Sequence, residues 1–320
     1  MAAAAKPKTN QQGLHILRHK AFAQHIVPTG HPERPDRITT IEALLDAEFA
    51  HLPMAEAPRA KREHLALVHS ESYIDGIFAA APKEASPDFV PLDGDTLMSS
   101  GTLDAALAAA GGAVEAVRLV LTGEAKRVFL ASRPPGHHAE PNRAMGFCFF
   151  SNAAIAGKYA LVSHGLSRVA VVDFDVHHGN GTQAAFWEDS RCLFASSHQM
   201  PLYPGTGAKG ETGCGNIFNA PIAAGTDGAA IIQVWREDVL PSIASAKPEL
   251  IIISAGFDAH ARDPLGGLNM EAEDFATLTK MICAVADAHS QGRVVSMLEG
   301  GYDLEGLRAS CAAHLRALLE

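Results

Sequence analysis

VAVVDFDVHHGNG, residues 169–181, is the stretch from which the fold of this chain is read. Its first four residues include three valines. The run is too short for a helix and rich in β-branched side chains, as a strand buried on both faces requires. It stops in Asp173, Asp175, His177 and His178, with Gly179 and Gly181 behind them. Carboxylates, imidazoles and glycines at the exit of a buried strand predict a metal site at the carboxyl edge of a parallel sheet.

The same pattern recurs along the chain. Residues 128–131, 169–172, 192–196, 250–254 and 294–298 are short apolar runs, and helical patterns follow at 153–163, 181–187, 228–243, 272–289 and 304–319. Repeated βα units predict an α/β fold, a single domain whose mostly parallel sheet carries helices on both faces. Upstream, residues 13–17 predict a first strand and 38–49 an amphipathic helix. Residues 70–81 predict a short helix capped by Ser70, 86–95 a surface loop and 99–121 a long buried helix. Residues 1–12 read as a disordered tail and 13–320 as one domain.

Composition narrows the function classes. Apolar residues make up 47 % and charged residues 19 %, as in ordinary globular proteins. With 26 basic and 36 acidic residues the formal net charge is −10, which argues against a nucleic-acid partner. Five cysteines without a CxxC pair read as reduced thiols, which predicts a cytoplasmic protein. No uninterrupted apolar run approaches the ~18 residues of a membrane span. A homo-oligomer is compatible with this composition.

Four strand ends carry the chemistry: SRPPGHHAE (132–140), DFDVHHGNG (173–181), AGFDAHARDPLGG (255–267) and EGGYD (299–303). Asp175 and His177, two positions apart on an extended segment, point the same way. Asp263 is expected as the third ligand, because the proline after it fixes an extended turn. Two carboxylates and one imidazole with an open position fit a catalytic zinc and would also accept iron or cobalt. His137 and His138 follow a rigid Pro-Pro-Gly turn and are either further ligands or a general base with a second proton carrier. Asp173 and Asn180 are the expected orienting partners of the two rings. Tyr302, on two glycines, is placed to stabilise an oxyanion.

RPPGHHAE with GFCFFSNAA (146–154), DFDVHHGNGTQ, FDAHARDPLGG and EGGYDLEGL, in this order, resemble the histone deacetylase superfamily. GHPERPDRI (30–38) and HHGNGTQ are similar to its class II and bacterial amidohydrolase branch, and the resemblance covers residues 13–318. It implies an arginase-like fold and zinc-dependent removal of an acetyl or short acyl group from a primary amine such as acetyl-lysine. It also implies zinc on Asp175, His177 and Asp263, His138 as general base beside His137, and Tyr302 polarising the carbonyl. Gly146, Phe147, Tyr203 and Met270 are then expected at the substrate tunnel, Asp95 at its rim and Arg37 on an internal acetate channel. A structural potassium or sodium ion is expected at Asp173, Asp175, His177, Ser196 and Ser197, and a second near the backbone of Phe186, Asp189 and Cys192.

Three rival readings remain at this level. An acetylpolyamine deacetylase is disfavoured by Met270 where an acidic gatekeeper is expected, unless Glu211 or Glu271 reaches the mouth. A binuclear manganese hydrolase of the arginase type needs D-x-H-x-D, and Gly179 stands at the last position. A catalytically silent acyl-lysine binder would have lost Tyr302 or a ligand.

Overall fold

The structure is a computed structural model that describes residues 12–83 and 86–320. The expected tail lies outside the described residues apart from Gln12, which opens the first strand. In chain order the elements are β1 (Gln12–Arg18), α1 (Asp36–Glu48), β2 (Met54–Glu56), α2 (Arg62–Leu65), α3 (Glu71–Ala80), β3 (Val90–Pro91), β4 (Leu97–Met98) and α4 (Thr102–Thr122). There follow β5 (Ala125–Leu130), α5 (Asn152–His164), β6 (Val169–Asp173), α6 (Asn180–Phe186), β7 (Cys192–Gln199) and β8 (Ile217–Ile222). The chain continues through α7 (Gly228–Val234) and a π turn (Trp235–Val239) into α8 (Leu240–Ala246). It ends with β9 (Leu250–Ala255), α9 (Ala272–His289), β10 (Val294–Leu298) and α10 (Leu304–Leu319).

Eight strands form one sheet in the order β2-β1-β5-β10-β9-β6-β7-β8, and every pairing in it is parallel. One helix layer, α4 with α5, packs over β1, β5, β10, β6 and β9, while α1, α8, α9 and α10 pack against one another as a second layer. Parallel strands covered on both faces must be apolar throughout, and β6, β9 and β10 are buried at every position. Ser70 caps α3 by accepting the Tyr73 N–H, as its sequence position predicts. Helix α4 is long and apolar enough by composition to cross a membrane, but here it packs on α5 and β5 as a core helix.

Several short elements stand outside the sequence expectation, among them β2 and α2. The loop at 86–95 contains β3, which pairs antiparallel with β4 as a short ribbon. Strand β8 carries Asn219 and Pro221, which weaken its strand pattern; it is tolerated because it lies at the sheet edge, where a missing N–H costs least.

The sheet order decides where the chemistry lies. The four polar strand ends belong to β5, β6, β9 and β10, which are scattered in the chain but form the contiguous block β5-β10-β9-β6. Their loops therefore meet over one small area at the carboxyl edge, where open α/β sheets bind ligands.

Candidate functional site

Asp175, His177 and Asp258 each offer a ligand atom, and these atoms all lie within 4.8 Å of one another in a buried position. His177 Nδ1 stands 3.1 Å from Asp175 Oδ1 and 3.1 Å from Asp258 Oδ2. The remaining carboxylate oxygens are held by backbone: Asp175 Oδ2 accepts from Gly300 N–H (2.9 Å) and Asp258 Oδ1 from Val176 N–H (2.8 Å). A Cβ at Gly256 would run into the Asp175 carboxylate, so only glycine lets the β9 loop come this close. Two carboxylates around one imidazole, with backbone holding their outer oxygens, form a donor set that suits a divalent metal with an open position.

The third member of this group, Asp258, is a further carboxylate beside the expected ligand Asp263. Asp263 Oδ1 accepts from Leu265 N–H (3.0 Å) and its Oδ2 from the N–H groups of Tyr302 (2.6 Å) and Asp303 (3.2 Å). The turn at Pro264 aims this carboxylate at the backbone of the Tyr302 loop, which it holds in place. Asp258 sits closer to the end of β9. A local signal for it exists, because Phe174-Asp175 after β6 and Phe257-Asp258 after β9 are the same dipeptide on adjacent strands. The two phenylalanine rings lie 6.0 Å apart beneath the site.

The two histidines of the β5 loop have separate environments. His137 Nδ1 is 3.0 Å from Asp173 Oδ2, and its Nε2 is 3.8 Å from Asp175 Oδ1. Burial opposes a charge on this ring, but the carboxylates of Asp175 and Asp173 outweigh it and hold its pKa well above the usual histidine value. His138 Nδ1 is 2.8 Å from Asn180 Oδ1. Burial, with positive charge on His137 and His177, holds His138 well below the usual value. Neighbouring titratable groups pushed apart in this way are the arrangement that divides acid from base roles. The turn that presents them is fixed by Glu299, whose Oε2 accepts from the N–H of Gly136 (2.6 Å) and His137 (3.2 Å).

Gly179 lies against the Asp173 carboxylate, and a Cβ there would collide with Oδ2. The position that a second metal's carboxylate would need is thus closed by sterics.

A cavity of about 240 Å³ opens over these groups, lined by Asp95, His138, Gly146, Phe147, His177, Leu202, Tyr203, Leu265 and Tyr302. Of the residues expected at the tunnel, Asp95, Gly146, Phe147 and Tyr203 are among the lining residues. Met270 is not among them; it is 1 % exposed and packs in the core, and Leu265 and Leu202 supply apolar wall. Neither Glu211 nor Glu271 is among the lining residues; Glu211 accepts from Gln183 and the Gly207 and Ala208 N–H groups, and Glu271 caps α9. Burial keeps the Tyr302 phenol well above its usual pKa, so it remains a hydrogen-bond donor. Arg37, fully buried, lies 4.8 Å from the Tyr302 ring centre. It donates to Glu33 (2.8 Å) and to the carbonyls of Gly301 (2.6 Å) and Glu299.

The two expected cation positions differ. Asp173 pairs in register with Ser196 across β6 and β7; the Ser196 hydroxyl bonds His198 Nδ1 (2.9 Å), and the Ser197 hydroxyl accepts from the Trp235 indole (2.8 Å). The peripheral cradle does not fit an ion. The carbonyls of Phe186, Asp189 and Cys192 all converge on Asn216 Nδ2 at 2.8, 3.1 and 2.7 Å, and Asn216 Oδ1 accepts from the Cys214 N–H, which fixes the amide's orientation. A neutral donor occupies the centre of that cradle.

Known proteins resemble this chain over most of its length. Residues 31–318 match the histone deacetylase domain. A probable deacetylase of Archaeoglobus fulgidus is 39 % identical over 299 residues, spanning 91 % of this chain and 82 % of that protein. A histone deacetylase-like amidohydrolase of Pseudomonas aeruginosa is 37 % identical over 320 residues, spanning 93 % and 83 %. The crystal structure of the HD domain of HDA15 is similar with a TM-score of 0.90 at 32 % identity, covering 97 % of this chain and 88 % of that one.

Proposed function

The chain belongs to the histone deacetylase family, and we propose that it is a zinc-dependent deacetylase that hydrolyses the acetyl amide of a primary amine carried on a flexible chain, such as acetyl-lysine. The observation that carries this reading is the single cavity in which His138, His177 and Tyr302 face one space beside the Asp175–His177–Asp258 group. Asp175 and His177 would hold the zinc with a third carboxylate, either the expected Asp263 or Asp258, and the metal when bound supplies a Lewis acid that acidifies water and polarises a carbonyl.

The chain's own groups do the rest. Asn180 accepts from His138 Nδ1, so the lone pair of that ring lies on Nε2, which takes the proton of the attacking water. The Tyr302 hydroxyl donates to the carbonyl oxygen as negative charge develops there, a contact worth ~3 kcal/mol in the transition state. His137, charged and tied to Asp173, adds positive charge close by. The proton gathered on His138 passes to the leaving nitrogen as the C–N bond breaks, giving acetate and free amine. Phe147, Tyr203, Leu202 and Leu265 offer apolar walls for methylenes, and their neutrality favours acetyl-lysine over an acetylpolyamine.

The test is an acetate-release panel of acetyl-lysine peptides, acetylspermidine and longer acyl amides, with and without chelator. Chelator-sensitive release from the peptides is expected. Turnover that survives full metal removal would sink the reading, as would wild-type rates in both Tyr302→Phe and His138→Ala.

A further inference from the structure

We propose that Glu140 is a positioning residue that decides which nitrogen of His138 carries its proton, acting through the side-chain amide of Asn180. This rests on His138 being the base of the reaction.

An asparagine amide has two ends of nearly equal shape, one accepting and one donating, and its neighbours decide which way it faces. Asn180 Oδ1 faces His138 Nδ1 at 2.8 Å. Its other end, Nδ2, is surrounded by acceptors: Glu140 Oε1 at 2.8 Å, the His138 carbonyl at 3.4 Å and Met145 Sδ at 3.4 Å. Only the bond to Glu140 is short and made to a carboxylate, the stronger kind.

Turned over, the amide would set its oxygen against the Glu140 carboxylate and offer an N–H to His138 Nδ1. The imidazole would then have to accept at Nδ1 and carry its proton on Nε2, which removes the lone pair that takes the proton of water. Glu140 therefore acts on tautomer at a distance of two hydrogen bonds. An amide does not relay protons in its ordinary form, so the chain from His138 to Glu140 is an orienting device and not a proton exit. An aspartate at position 180 would accept with either oxygen and need no such neighbour; asparagine does need one.

Glu140 is built to stay in place. Its backbone closes a turn with Arg143, through Glu140 N–H to the Arg143 carbonyl (2.9 Å) and the reverse bond (3.3 Å). The side chain borders a surface cleft that also touches Asn180, Gln183 and Thr206, so it can be replaced without opening a core cavity.

The experiment compares wild type, Glu140→Ala, Glu140→Gln, Asn180→Asp and the double variant Asn180→Asp/Glu140→Ala as zinc-loaded enzymes. Expected for Glu140→Ala is a 10- to 100-fold fall in kcat with KM and zinc content within about twofold, the usual scale for an orienting partner. Glu140→Gln should recover most of kcat, because its amide oxygen can accept from Asn180. In the Asn180→Asp background, removing Glu140 should leave kcat unchanged or raise it. Nitrogen-15 spectra of labelled histidine should show the His138 proton on Nδ1 in wild type and a share of it on Nε2 in Glu140→Ala.

An active wild type with an unaffected Glu140→Ala overturns the role of Glu140 alone. An equal loss of kcat in the Asn180→Asp background also overturns it. A wild type that releases no acetate overturns instead the reading on which it rests.

Discussion

Replacing Asp258 by asparagine tests the ligand set most directly. The substitution keeps the shape of the side chain and the acceptor for Val176 N–H, but removes the charge that faces His177 Nδ1. Zinc held by protein side chains contributes on the order of 10 kcal/mol or more to folding, so losing one of three ligands costs roughly 4 kcal/mol, about a thousandfold in affinity. At a free zinc concentration a thousand times the wild-type Kd, the metal stabilises wild type by about 4 kcal/mol and such a variant by only ~0.4 kcal/mol.

The assay is urea unfolding in zinc buffers, with elemental analysis of the dialysed protein. Asp263→Asn is the comparison: its carboxylate serves two backbone N–H groups of the Tyr302 loop and that of Leu265, so with Asp258 as the third ligand zinc affinity should stay within about tenfold while kcat falls. A misfolded variant is recognisable without metal. Burial and the neighbouring Asp175 raise the pKa of Asp258 in the folded chain, so the stability it contributes is lost as pH rises, and the metal-free variant should show less of that loss. The reasoning is refuted if Asp258→Asn keeps zinc-linked stabilisation and Asp263→Asn loses it.

Three further outcomes follow from buried contacts. Gly179→Ala places a methyl against the Asp173 carboxylate, so it should destabilise the protein by about 1–3 kcal/mol and lower turnover through His137, measured by thermal unfolding and acetate release. Asn216→Ala removes a donor shared by three carbonyls, of which those of Phe186 and Asp189 keep a backbone N–H partner, so the cost should be about 1 kcal/mol; potassium chloride should restore stability to this variant more than to wild type, compared with choline chloride. His314 lies buried between Thr279 and Ser296, and burial pushes its pKa down to about 3. The unfolded chain binds that proton near pH 6.5, so stability is present above pH 6.5 and falls below it by about 1.4 kcal/mol per unit. Relative to His314→Gln, wild type should lose roughly 2 kcal/mol between pH 8 and pH 5 in urea titrations.

Much of the fold was legible because its signals are short-range. Strand β10 and helices α9 and α10 follow their apolar periods to the residue, and β5, β6, β7 and β9 extend only a few positions past theirs. Edge strands β2 and β8 were not legible: three residues are too few to show a period, and Asn219 and Pro221 interrupt the other. In the candidate site, His137, His138, Asp175, His177 and Tyr302 stood out because each follows a strand end beside glycine. Asp258 also follows a strand end beside glycine, but the proline after Asp263 made that carboxylate the more conspicuous of the two. Met270 and Leu265 could not be told apart in sequence, since both are apolar residues on one loop and only packing turns one into the core and the other into the cavity.

The sequence by itself determined the repeated βα units, their apolar strands and the histidines, carboxylates and tyrosine at their ends, all of which depend on neighbours a few residues away. The tertiary structure alone decided which ends meet. Winding β10 and β9 between β5 and β6 brings four distant loops together, and competition for backbone N–H groups then sorts their carboxylates. Asp263 accepts from the Tyr302 loop and Asp175 from Gly300, while Asp258 accepts from Val176 with one oxygen and faces His177 with the other. That competition is between partners far apart in the chain, and no local pattern records its outcome.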